Sequence, residues 1–151
     1  MKHIEINFAG ADDLPQLADL LEALFTLESD FNPDREKQLR GLRLILDNPV
    51  LGRLFVLRDE MRVLGMANAL ITVSTAEGAR VLLLEDVIVR HEQRGRGLGK
   101  RLVEHVLAWA AAQGITRVTL LADKGNASAL DFYRKLGFDD SRMLVMRKQT
   151  G

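Results

Sequence analysis

Six residues, Arg94-Gly95-Arg96-Gly97-Leu98-Gly99, put two guanidinium groups among three glycines. The stretch before them, Val81–Val89, is rich in Val, Leu and Ile, which suits a strand. After them Leu98, Leu102, Val106 and Trp109 recur at helical spacing. They predict a helix over Leu98–Gln113, with Gly114 as its stop. Strand, glycine turn and helix in that order build an anion site. The first amides of a helix have no partner inside it, and the helix dipole adds partial positive charge there. Two familiar phosphate patterns fail. The Walker loop would end at Gly99-Lys100, but positions 94 and 101 are both Arg. A GxGxxG fingerprint starting at Gly95 needs glycine at position 100, which is Lys. The pattern present is Arg94-x-x-Gly97-x-Gly99.

A second stretch, Asn126 to Phe138, reads NASALDFYRKLGF. Asn opens a short helix, and Tyr133, Gly137 and Phe138 close it. The two stretches, in this order and with one helix and one strand between them, resemble the signatures of the GCN5-related N-acetyltransferases, the GNAT family. The first is similar to that family's acetyl-CoA pyrophosphate loop. The resemblance runs from about Leu54 onward and is looser before it.

The elements that must position these residues follow from periodicity. Ile4, Ile6 and Phe8 alternate with polar residues, predicting a strand over Lys2–Phe8. Asp12 is placed to cap a helix with Pro15 in its first turn and Leu17, Leu20, Leu21, Leu24 and Leu27 on one face. Glu28–Asp34 is a polar break. A second helix, Asp34–Leu46, carries Leu39, Leu42, Leu44, Ile45 and Leu46, and Asn48-Pro49 ends it. Strands are expected over Gly52–Leu57 and Arg62–Ser74, the latter with a bend at Gly65, and over Thr116–Leu121. A closing strand is expected at Phe138 and Met143–Arg147. The order reads as a mixed α/β fold, one domain over residues 1–151. The resemblance implies a mostly antiparallel central sheet flanked by helices. It also implies that the sheet splays between strands four and five, with the cofactor in the split.

Carried onto this chain, the resemblance implies acetyl-CoA as cosubstrate and direct attack by a primary amine. Gly95, Arg96, Gly97, Leu98 and Gly99 would present backbone amides to the pyrophosphate, and Arg94, Arg96, Lys100 and Arg101 positive charge. Backbone groups of Val87, Ile88 and Val89 would pair with the pantetheine arm as an added strand does. Asn126 is a good helix cap, and in the family an Asn here also touches the cofactor arm. Tyr133, the one tyrosine of the chain, matches a general acid near the cofactor sulfur. A phenol with a pKa near ~10 is protonated at neutral pH and can supply a thiolate with a proton. Glu85 and Asp86 stand side by side on the central strand. Since neighbours on a strand face opposite sides, one of them is expected to face the site. The Leu84-Glu85-Asp86 triplet resembles members acting on small amines and amino sugars, which favours Glu85 as base through water. The plain alternative is a strand-end charge in solvent.

Composition limits the rest. Basic and acidic side chains balance at 21 each, which argues against nucleic acid or an anionic membrane as main partner. There is no cysteine, so disulfides, thiolate metal sites and a cysteine nucleophile are excluded. His3, His91 and His105 have no metal-site spacing, and no metal is expected. No apolar run reaches spanning length and no signal pattern opens the chain, so cytoplasm is the expected compartment. The acidic run Glu28, Asp30, Asp34 would attract a cationic acceptor such as a polyamine, or is a solvated loop. A polyamine, an amino acid or an amino sugar therefore head the acceptor expectations. A protein lysine or N-terminal amine, and a non-catalytic acyl-CoA sensor, are the rivals. Relatives are often homodimers.

Overall fold

The computed structural model describes residues 3–28 and 32–151. The chain forms two compact units, Met1–Leu121 and Ala122–Gly151. The first holds a five-stranded sheet in the order β1 (Glu5–Phe8), β2 (Gly52–Arg58), β3 (Val63–Ser74), β4 (Ala79–Val89), β5 (Val118–Leu120). Every neighbouring pair is antiparallel except β4 with β5, which is parallel. Helices α1 (Leu14–Leu27), α2 (Arg35–Leu46) and α3 (Leu98–Ala112) complete this unit, and α4 (Ala127–Lys135) lies in the second.

Alternation along β2 divides the core. Leu54 and Val56 join Leu17, Leu20, Leu21 and Leu42 of α1 and α2. The intervening Phe55 packs edge-on to Trp109 of α3, with ring centres 5.3 Å apart. Phe55 is fully buried, and burying such a side chain contributes roughly 1.5–3 kcal/mol. Successive strand residues face opposite ways, so α1 and α2 cover one side of the sheet and α3 the other.

Several element ends differ from the sequence reading. Lys2 lies outside the described residues, and β1 begins only at Glu5. Its pairing starts with Glu5 opposite Arg58, the last residue of β2, so Ile4 has nothing to pair with. Asp13, not Asp12, stands at the head of α1. Its carboxylate accepts the Gly10 amide at 2.8 Å, across the tight turn Ala11–Asp13. Leu27 and Leu44, expected on apolar faces, are exposed. Residues 29–31 of the polar break lie outside the described residues, so the expectation for Asp30 does too. Asp34 is the N-cap of α2 and accepts from the Lys37 amide at 3.2 Å.

The closing strand expected at Phe138 and Met143–Arg147 does not form. These residues pair with no strand among the described residues, and Met143, Leu144, Val145 and Met146 are exposed. An apolar run becomes a strand only where a neighbouring edge completes its hydrogen bonds.

Gly65 answers to a close approach. A Cβ there would lie 2.9 Å from the Ile88 carbonyl oxygen. Only a glycine lets β3 sit that near β4 at this point.

Candidate active site

The two halves of β4 are built differently. From Leu82 to Leu84 it is flanked on both sides, by β3 and by β5 opposite Val118–Leu120. From Glu85 to Val89 the β5 side has no ladder among the described residues, because β5 ends at Leu120. The sheet therefore opens between strands four and five, at the carboxyl end of β4.

A bulge sits at the same place. Asn68 pairs with Glu85, but Met66 pairs with Ile88, so β4 has one extra residue between the two positions. Asp86 takes up the irregularity with φ +54°, the left-handed region that non-glycine residues rarely enter. The extra residue flips the facing of everything after it. That is why Ile88 joins the α1 and α2 core. Glu85 stands opposite Asn68, and directly opposed residues share a face. The Asp86 carboxylate reaches the same Asn68, accepting its Nδ2 at 3.1 Å.

Asp86 and Asn68 line a cavity of about 290 Å³. Leu21 and Phe25 of α1 and Gln38, Leu42 and Ile45 of α2 supply other walls. Burial pushes the Asp86 carboxyl above its ordinary value, and the Asn68 hydrogen bond offsets that only in part. Gln38 and Asn68 were not singled out from the sequence. The spacing of Gln38, Leu42 and Ile45 along one face of α2 was the available signal, since it places a polar residue in an apolar stripe.

Past β4, Arg90 anchors the chain. Its Nε donates to the Val63 carbonyl at 2.6 Å. Arg94 Nε donates to the Val89 carbonyl at 3.1 Å and ties the glycine turn back to the end of β4. Gly95 and Gly97 take φ +80° and +75°, and Gly97 caps α3. The first bond of the helix runs from the Arg101 amide to the Gly97 carbonyl at 3.1 Å. The amides of Leu98, Gly99 and Lys100 lie ahead of it. The Arg96 guanidinium bonds Gln93, and Lys100 lies 3.7 Å from Glu104. All four cations from Arg94 to Arg101 are exposed. Amides, left-handed glycines and cations together suit an anion with several oxygens.

The model of the acetyltransferase (GNAT) family matches residues 14–138 of this chain. The chain belongs to the GNAT family. A possible acetyltransferase from Clostridium difficile 630 superposes with a TM-score of 0.88 at 20% identity, covering 97% of each chain. An aminoglycoside N-acetyltransferase solved with CoA superposes at 0.83, also at 20% identity, over 99% of this chain and 96% of that one. An L-methionine sulfoximine/L-methionine sulfone acetyltransferase from Pseudomonas paraeruginosa is 38% identical over 65 residues, 43% of this chain. The match spans 38% of that relative's length. Acetyl-CoA is the family's cosubstrate, and the end of β4 beyond β5, followed by the glycine turn, suits a molecule with amides and a pyrophosphate.

The family's second signature lies in the C-terminal unit. Asn126 caps α4, its Oδ1 accepting the Ala129 amide at 3.0 Å. Tyr133 is half-buried, its ring edge-on to Phe132 at 5.1 Å and Phe138 at 5.8 Å. The Phe138 amide donates back to the Tyr133 carbonyl at 3.1 Å, across Gly137 at φ +98°. The tyrosine is thus fixed by the turn that ends its helix. Among the described residues no cluster of three or more His, Asp or Glu has metal-binding geometry. No described helix is long and apolar enough to cross a membrane.

Proposed function

We propose that this chain moves the acetyl group of acetyl-CoA to the primary amine of a small molecule. The observation that carries the reading is the change in β4 at Glu85. There the strand loses its β5 neighbour, bulges to bring Asp86 to a cavity, and leads into the glycine turn. A cavity of about 290 Å³ walled by two helices has room for a small acceptor. The relative acting on methionine sulfoximine supports a small acceptor as well.

In this reading the amides from Gly95 to Gly99, with Arg94, Arg96 and Lys100, hold the pyrophosphate. Backbone groups of Val87, Ile88 and Val89 pair with the pantetheine arm, although the Val89 carbonyl also accepts from Arg94. Asn126 adds a contact through the amide nitrogen that its capping role does not use. Glu85 takes a proton from the acceptor ammonium through water. The neutral amine then attacks the thioester carbonyl, the carbon–sulfur bond breaks, Tyr133 protonates the leaving thiolate, and the proton shed by the amide nitrogen restores the phenol. Alignment and oriented donors supply most of the rate.

The test is thiol release from acetyl-CoA against amines, amino sugars and amino acids, with wild type beside Tyr133→Phe. The expected result is turnover of at least one amine, and a variant that binds acetyl-CoA normally with kcat reduced about 10- to 100-fold. Tight acetyl-CoA binding with no amine turned over would contradict the reading and make the domain a binding module.

A further inference from the structure

The cavity at the β4 bulge holds more polar groups than the fold itself uses. Gln38 is 8% exposed, and neither its Oε1 nor its Nε2 has a hydrogen-bond partner. Asn68 is 4% exposed. Its Nδ2 serves Asp86, and its Oδ1 is unpartnered. Leaving such a buried group unmatched costs about 1–3 kcal/mol. A leucine at position 38 would continue the stripe of Leu42 and Ile45 and remove that cost. These groups line a cavity, so a molecule entering it would complete their bonds.

What they lack describes that molecule. Asn68 Oδ1 and the Asp86 carboxylate want donors, and a primary ammonium has three. Gln38 wants one acceptor and one donor together. Around it stand Leu21, Phe25, Leu42 and Ile45, which disfavour a second full charge. Asn32, Asp34 and Lys37 line the cavity at its exposed rim, where Asp34 caps α2 and accepts the Lys37 amide.

We propose that this cavity seats an acceptor with a primary amine at one end and an uncharged group that both donates and accepts at the other, a carboxamide being the simplest. Asp86 and Asn68 receive the ammonium, and Gln38 pairs with the neutral end. The inference rests on the acetyl-transfer reading and narrows its substrate class. It disfavours an α,ω-diamine, because the buried Gln38 amide pairs both donor and acceptor with a neutral amide but offers a second ammonium only its oxygen.

The test is a matched series of five-carbon amines: pentylamine, cadaverine, δ-aminovalerate and δ-aminovaleramide, each with acetyl-CoA. The seat predicts kcat/KM for the carboxamide at least about tenfold above the other three, the size of one or two buried hydrogen bonds. Gln38→Leu is expected to bring the ratio of carboxamide to pentylamine near one. Gln38→Glu should lower that ratio too, and shows that the effect follows the amide and not the packing. A carboxamide no better than pentylamine would overturn the proposal, as would a ratio that survives Gln38→Leu. If none of the four turns over while acetyl-CoA still binds, the seat is wrong. If acetyl-CoA itself does not bind, the acetyl-transfer reading fails first.

Discussion

Asp13 receives two bonds from the Arg58 guanidinium, at 3.0 and 2.7 Å, and a third from the Gly10 amide at 2.8 Å. Asp86, in the same unit, has only the neutral amide of Asn68 at 3.1 Å among the described residues. Both carboxylates are drawn out of water, and their acidities move in opposite directions. For Asp13, burial alone would raise the pKa. The hydrogen bonds from Arg58 and Gly10 outweigh it and hold the carboxyl below its ordinary value. For Asp86, burial dominates and the single amide does not compensate. The first carboxylate is matched by charge and anchors the corner between α1 and β2. The second sits on strained backbone beside a cavity and stabilises the fold little. A half-buried acid left short of donors, at the edge of an opening, is what an incoming cation would complete.

Arg58→Met should produce the largest change in stability. It leaves Asp13 without its guanidinium and should cost about 2–4 kcal/mol, read as a lower midpoint in urea. A loss under about 0.5 kcal/mol would erase the contrast between the two sites.

Asp86→Asn should act on catalysis in place of folding. It keeps size and removes the charge that would hold an ammonium. A hydrogen bond to a charged group contributes about 1.5–3 kcal/mol, so kcat/KM for the amine should fall about 10- to 100-fold. Acetyl-CoA binding should not change.

The smallest effect separates the two carboxylates by pH. Asp86 has a raised folded pKa. Its penalty is therefore fully present above that raised value and disappears as pH falls below the ordinary carboxylate range. Asp86→Asn should be more stable than wild type near neutrality, and the gap should close in acid. Asp13 has a lowered folded pKa. Its contribution is complete above the ordinary value and is lost as pH falls through the lowered one. The deficit of Arg58→Met should shrink in acid as well, but from the opposite side of wild type. Equilibrium unfolding of the three proteins at several pH values measures both signs.

The contrast also shows what was readable beforehand. The strand, glycine turn and α3 were plain because the period changes from two to helical across Arg94–Gly99, and Gly97 caps the helix as that spacing requires. The cap at Asn126 was readable for the same local reason. The bulge was not. Nothing in Leu84-Glu85-Asp86-Val87 signals an extra residue, because its cause lies across the sheet in the register with Met66 and Asn68. Gln38 escaped notice because glutamine on a helix usually faces water. Its burial depends on α1 and β2, the elements that α2 packs against. The Met143–Met146 run misled in the other direction, since an apolar run was present and, among the described residues, a neighbouring strand was not.

The most direct test of the central claim is one comparison of wild type with Asp86→Asn. It measures kcat/KM for an acetylated amine, the dissociation constant for acetyl-CoA and the unfolding midpoint together. The account predicts a lower kcat/KM, an unchanged acetyl-CoA affinity and a midpoint equal to or above that of wild type. Retained amine turnover with a lowered midpoint would show that Asp86 serves the fold and not the acceptor, and would contradict it.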